Sequence, residues 1–161
     1  PYWFEEPIDG ESIRMLASIR KKTGLKIVTG EKQFGLHHFI ETLAADAADI
    51  LNPDIAGVGG ILDMIKISEI SAKNNVMISP HCWNSMSIAA SAMLHFCAGN
   101  SNTEMAEIYP EYISNGLKYS DTNFVIKNGY AELKDRPGLG VNIDIKSLMK
   151  LSADYKKTTL R

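Results

Sequence analysis

Apolar and polar residues follow two periods along this chain, and the two periods take turns. Tyr2-Trp3-Phe4 is a short aromatic run suited to a strand, and Glu5-Glu6-Pro7 closes it, since proline cannot donate to a ladder. Over residues 9–23 the pattern becomes helical: Ile13, Leu16 and Ile19 form one face, Arg14, Arg20, Lys21 and Lys22 the other, and Gly24 offers a C-terminal cap. Residues 25–29 read as the next strand, ending at Gly30-Glu31. A helix over 36–48, with Phe39, Ile40 and Leu43 apolar, leads to a short buried strand at 49–52 that Pro53-Asp54 stops. Gly57 and Gly59-Gly60 turn the chain into a helix over 61–73, and 76–79 is the strand that delivers Pro80-His81. A helix that is small and apolar nearly all round spans 85–98, and residues 103–108 close the series as a strand.

Strands separated by helices, without hairpin turns, pair in parallel through crossover connections. The fold class is therefore α/β, with the strand–helix units filling residues 1–110. Residues 111–161 differ. Asn128-Gly129 between two β-prone runs is a tight hairpin turn, Pro137-Gly138-Leu139-Gly140 is a loop, and residues 145–152 read as a closing helix. No low-complexity linker divides the 161 residues, so a single domain is expected.

Composition removes several classes of function. Hydrophobic residues make up 45% and charged ones 22%, and the net charge of −2 leaves no basic footprint for nucleic acid. No apolar stretch approaches the roughly 20 residues that span a bilayer. Cys82 and Cys97 are too few for a disulfide framework and lack metal-site spacing, so free thiols and a cytoplasmic location are expected. The chain opens on Pro1 and enters an apolar run at once, which reads as part of a longer protein.

The chemistry lies at the strand ends. In a barrel of alternating strands and helices, active-site side chains sit at the carboxyl ends of the strands. The polar residues there are Glu5, Glu31, Asp54, His81 and Glu107, at intervals of 26, 23, 27 and 26 residues. Such intervals suit successive barrel units, and five ionisable residues in a row exceed what solubility needs. Glu5 and Glu31 suit a hard cation such as Mg²⁺, although solvated or salt-bridged acids would look the same in sequence. Asp54 beside His81 makes a His–Asp general base, or a purely structural hydrogen bond. Glu107 is placed to bond a substrate oxygen, with Glu104 as the alternative because the strand register is open. Lys32, Trp83 and Asn84 are weaker pocket candidates, while His37, His38 and His95 sit in helices as surface or packing residues.

Taken together, Trp3-Phe4-Glu5-Glu6-Pro7, Gly30-Glu31, Pro53-Asp54 with Gly59-Gly60, Pro80-His81 and Pro137-Gly138-Leu139-Gly140-Val141 resemble the enolase superfamily, within it the mandelate racemase subgroup. The resemblance runs through nearly the whole chain in order. It implies the C-terminal half of a TIM-type (β/α) barrel with a closing hairpin, from the fourth barrel strand onward. The N-terminal capping domain and the first barrel strands have no counterpart here. It also implies that Glu5 and Glu31 are magnesium ligands, that His81 and Asp54 form the base dyad, and that Glu107 polarises the intermediate. Gly57 stands where the muconate-lactonising branch carries a lysine, which argues against that branch. The implied reaction is Mg²⁺-dependent removal of the proton α to a carboxylate, first as dehydration of an acid sugar and second as racemisation or epimerisation of a 2-hydroxy acid. The implied partners are a small carboxylate substrate, the missing half barrel and capping domain, and further copies of the chain as a homo-oligomer. Two carboxylates alone hold Mg²⁺ weakly, so activity is expected only with the missing half in place. A non-catalytic half barrel, serving binding or assembly, is the reading from another class.

Overall fold

Short strands at a common height organise the molecule. The structure is a computed structural model describing residues 1–82 and 85–151. In it β1 (Phe4–Glu5), β2 (Ile27–Thr29), β3 (Ile50–Leu51) and β4 (Met77–Ile78) pair in parallel, in the order of the chain. Glu5 lies opposite Val28, Val28 opposite Ile50, and Leu51 opposite Ile78. The crossovers are α1 (Ile13–Thr23), α2 (Leu36–Ala44) and α3 (Ile61–Lys73), and α4 (Ser87–Gly99) follows β4. The arrangement is that of half a (β/α) barrel.

Strand alternation divides the side chains between two faces. Leu51 and Ile78 turn to the helices and pack with Phe39, Met64, Ile67 and Met93, while Ile27 packs with Leu16 and Ala47 in a smaller cluster. The other face carries Trp3, Val28, Asn52, Ser79 and Met105, which line a cavity of about 180 Å³ inside the curved sheet. The small residues of α4 now have their reason: Ala90 and Ser91 are buried, which lets the helix lie close to its neighbours.

Residues 103–108 are extended beside β4, yet they form a regular pairing only at the bridge between Ile78 and Thr103. The Ile78 N–H donates to the Asn102 carbonyl and the Glu104 N–H to the Ile78 carbonyl. The Ser79 N–H points the other way, to Leu51, so the next donor due on this side is Pro80, which has none. The expected strand is cut short by that proline. The chain then enters α5 (Pro110–Gly116), which the hydrophobic pattern does not announce. β5 (Phe124–Lys127) and β6 (Tyr130–Leu133) form the expected antiparallel hairpin around Asn128-Gly129, both at positive φ. The closing helix α6 covers Ile145–Leu151, and residue 152 lies outside the described residues. Among the described residues, no helix is long and apolar enough to cross a membrane.

One polar cluster ties the first units together. Arg20 on α1 donates to the Asp49 carboxylate at 2.8 Å and to the Asp46 carbonyl at 3.2 Å, and the other Asp49 oxygen accepts the Ile27 N–H at 2.8 Å. One carboxylate thus joins α1, the start of β2 and the start of β3. Burial raises the Asp49 pKa, but the Arg20 hydrogen bond and the Ile27 N–H outweigh it and hold the group below its ordinary value. Its stabilising contribution is therefore present above about pH 3.9 and lost as pH falls through the lowered folded value. Asp49→Ala is expected to lower the unfolding free energy by about 2 kcal/mol at pH 7 and to flatten the acid limb of the stability profile, as read by urea unfolding between pH 7 and 3.

Candidate active site

Each strand hands one ionisable side chain to the same rim. Gly30 has φ of 143° and approaches β3 so closely that a Cβ would lie 3.1 Å from the Phe39 ring and 3.2 Å from the Asn52 nitrogen. Only glycine allows that approach, and Glu31 follows it directly. Asp54 is pinned through Oδ1 by the N–H groups of Ala56 at 2.8 Å and Gly57 at 3.3 Å, leaving Oδ2 for His81. A single parallel bridge joins Asp54 to His81, and the His81 N–H donates to the Pro53 carbonyl.

His81 is the centre of the cluster, 11% exposed, with Asp54 at 13%. Its Nδ1 is 3.0 Å from Asp54 Oδ2, and its Nε2 is 3.1 Å from Glu31 Oε2 and 4.0 Å from Glu107 Oε2. Both ring nitrogens face carboxylates, which only accept, so this geometry belongs to the imidazolium. Burial pushes the His81 pKa down, but the Asp54 hydrogen bond and the charges of Glu31, Glu107 and Asp54 together lift it above the ordinary value. The Asp54 pKa is raised by burial and, more strongly in sum, lowered by the His81 bond, the Ala56 N–H and the His81 charge.

Glu5 belongs to the same field. Burial raises its pKa, Glu107, Glu31 and Glu6 raise it further, and His81 opposes them. Its Oε1 accepts Asn52 Nδ2 at 2.8 Å. Glu5 and Glu31 offer oxygen only, as a hard divalent cation requires, and excess negative charge is what such a cation would relieve. Among the described residues no three His, Cys, Asp or Glu side chains gather with metal-ligand geometry. The fit is therefore to part of a Mg²⁺ site.

The next residue after Glu5 serves a different purpose. Glu6 has φ of 35°, and its carboxylate accepts Thr29 Oγ1 at 3.1 Å and Lys32 Nζ at 3.0 Å. Lys32 also lies 3.8 Å from Glu31. The residue considered for substrate contact is thus tied into the acidic rim.

Of Glu104 and Glu107, only the second is brought to His81 among the described residues. Glu104 accepts the Tyr2 hydroxyl, away from His81, whereas Glu107 Oε2 takes the Cys82 N–H at 2.7 Å and faces the imidazole. The His37 and His38 rings lie tilted against each other on α2, centroids 4.0 Å apart, and His95 Nε2 meets Asn123 Nδ2 at 3.0 Å, so none of the three joins the site. Trp83 and Asn84 lie outside the described residues. Two residues that the sequence pattern did not single out are present. Phe34, 56% exposed, shares a mouth of about 380 Å³ with Glu31, Asp54, Gly57 and His81. Asn52 could have been found from its position two residues before Asp54, which puts both on one face.

Residues 1–147 match the family described as enolase C-terminal domain-like. The chain is 30% identical to the D-galactonate dehydratase of Ralstonia pickettii over 150 residues, 89% of this chain and 39% of that protein. It superposes on an enolase from the environmental genome shotgun sequencing of the Sargasso Sea with a TM-score of 0.91 and 49% identity, covering 96% of this chain and 41% of the other. On the 3,6-anhydro-D-galactonate cycloisomerase of Zobellia galactanivorans the TM-score is 0.85 at 30% identity, covering 92% and 42%. The chain thus spans about two fifths of the length of these relatives.

Asp54→Asn is expected to lower the pKa of His81, read by NMR titration of the imidazole in metal-free protein. In the native protein the stabilisation from protonated His81 is complete below about pH 6.5 and fades as pH rises through the elevated folded value. In the variant that loss should begin at lower pH. An unmoved His81 titration would remove Asp54 as the cause.

Proposed function

This chain belongs to the enolase C-terminal domain-like family, and from that premise we propose that it forms part of an Mg²⁺-dependent acid-sugar dehydratase that removes the proton α to a carboxylate. The observation that carries this reading is the His81 imidazole, bonded through Nδ1 to Asp54 while Nε2 faces the rim shared with Glu31 and Glu107.

Glu5 and Glu31 would hold the metal, and when bound it supplies Lewis acidity toward the substrate carboxylate, making the α-proton more acidic. With Glu31 so engaged, Nε2 of His81 is released from its carboxylate partner and can be neutral. Asp54 then keeps the proton on Nδ1, so Nε2 presents the lone pair that takes the α-proton. Glu107, fixed by the Cys82 N–H, stands beside the developing charge and donates to it if protonated. In dehydration the C2–H electron pair forms a C2–C3 double bond, the C3 hydroxyl leaves as water with a proton returned by His81, and the enol becomes a ketone.

The Zobellia relative supports a second fate for the same step. In an isomerase the C2 proton is removed and a proton is returned to the product, so the atoms are conserved and no water is lost. We further propose that residues 1–147 act as one unit. In this reading, the β1 edge and the edge at residues 102–107 pair with the remaining strands of a closed barrel.

The test is deuterium exchange at C2 of D-galactonate and related sugar acids in deuterated water, using the intact protein with Mg²⁺. His81→Asn should slow exchange about 10²–10⁴-fold, and chelation should abolish it until Mg²⁺ is restored. Appearance of a 2-keto-3-deoxy acid from D-galactonate identifies dehydration, and an isomeric acid formed without loss of water identifies isomerisation. Exchange unaffected by His81→Asn would sink the mechanism.

A further inference from the structure

Asn52 follows β3 directly and is 3% exposed. It lines the inner cavity together with Glu5 and His81. Its Nδ2 donates to Glu5 Oε1 at 2.8 Å, and chemistry fixes the direction of that bond, because a carboxylate only accepts and the amide nitrogen must face it. The amide oxygen is therefore on the other side, where it is buried and has no hydrogen-bond partner among the described residues. An unmet acceptor inside a fold costs stability. Leucine has the same branched skeleton and no polar atom, and it would serve packing better. The amide is retained at a loss to folding, so its one satisfied bond must matter for Glu5.

Glu5 needs such a bond. Glu31 and Glu107 both repel its carboxylate, and among the described residues β1 is an edge strand paired with β2. Without a donor on the cavity side, repulsion favours rotamers that carry the carboxylate away from Glu31. We propose that Asn52 is a positioning residue for the divalent cation: its Nδ2 holds Glu5 on the cavity side of β1, so that Glu5 and Glu31 can share one ion. This rests on the metal-dependent reading above, and it adds to that reading a residue that touches neither the ion nor the substrate. Groups that orient metal ligands typically change affinity by about 10–100-fold when removed.

The experiment measures Mn²⁺ binding by calorimetry and by the electron paramagnetic resonance of free Mn²⁺, in the intact protein and in Asn52→Leu and Asn52→Ala. Thermal midpoints are recorded in chelator. Both variants should bind Mn²⁺ about 10–100-fold more weakly, and Asn52→Leu should keep or raise the midpoint. Asn52→Gln, which keeps the donor, should recover part of the affinity. Native affinity in either folded variant overturns the proposal. So does a drop in midpoint for both variants with affinity lost only in proportion to the unfolded fraction, because that is a structural role. If the native protein binds no Mn²⁺, the metal-dependent reading falls and this proposal with it. If it binds Mn²⁺ but exchanges no α-proton, the catalytic reading fails while the positioning of Glu5 stands.

Discussion

Parallel pairing through helical crossovers makes every strand of this sheet end on the same side, and the rest of the structure follows from that constraint. Each strand is only two or three residues long, so very little chain separates the buried ladder from the rim. A side chain placed just after a strand is therefore fixed in height by the ladder and in direction by the alternation of faces. Glu31, Asp54 and His81 share one cluster because β2, β3 and β4 are in step. The clamp of Arg20 and Asp49 acts at the opposite end of the strands and holds the same register from below.

That constraint also explains what could be read from the sequence. Residues 5, 31, 54, 81 and 107 recur at unit spacing, and spacing survives in a sequence because the repeating unit is local. The hairpin was legible because Asn128-Gly129 carries its own backbone preference. The course of residues 103–108 was less so. Their pattern is that of a strand, but the pairing fails on the neighbouring chain, at Pro80, and no window of local residues contains both. Glu6 at positive φ, closed over by Thr29 and Lys32, was hidden for the same reason: three distant residues create its environment. Asn52 reads in sequence only as the last residue of a short buried strand, and the partner that gives it a purpose lies two strands away.

The rim carries more carboxylates than His81 and Lys32 can balance. Glu31, Asp54 and Glu107 all act on His81, and the Glu5 pKa is raised first by burial and then by the charges of Glu107 and Glu31. Such a cluster is unfavourable for folding and persists because the ladder holds the backbones in place regardless. The same field favours the protonated form of the imidazole.

Asp54 and Glu107, two of the three carboxylates around His81, are held by main-chain donors: the N–H groups of Ala56 and Gly57 for the first, that of Cys82 for the second. Every amino acid but proline brings that donor with it. The side chains at 56 and 82 are thus not what secures these acids, although Cys82 is itself buried in the core. The orientation of Asp54 and Glu107 is thereby less sensitive to side-chain replacement than that of Glu5, which depends on the Asn52 amide.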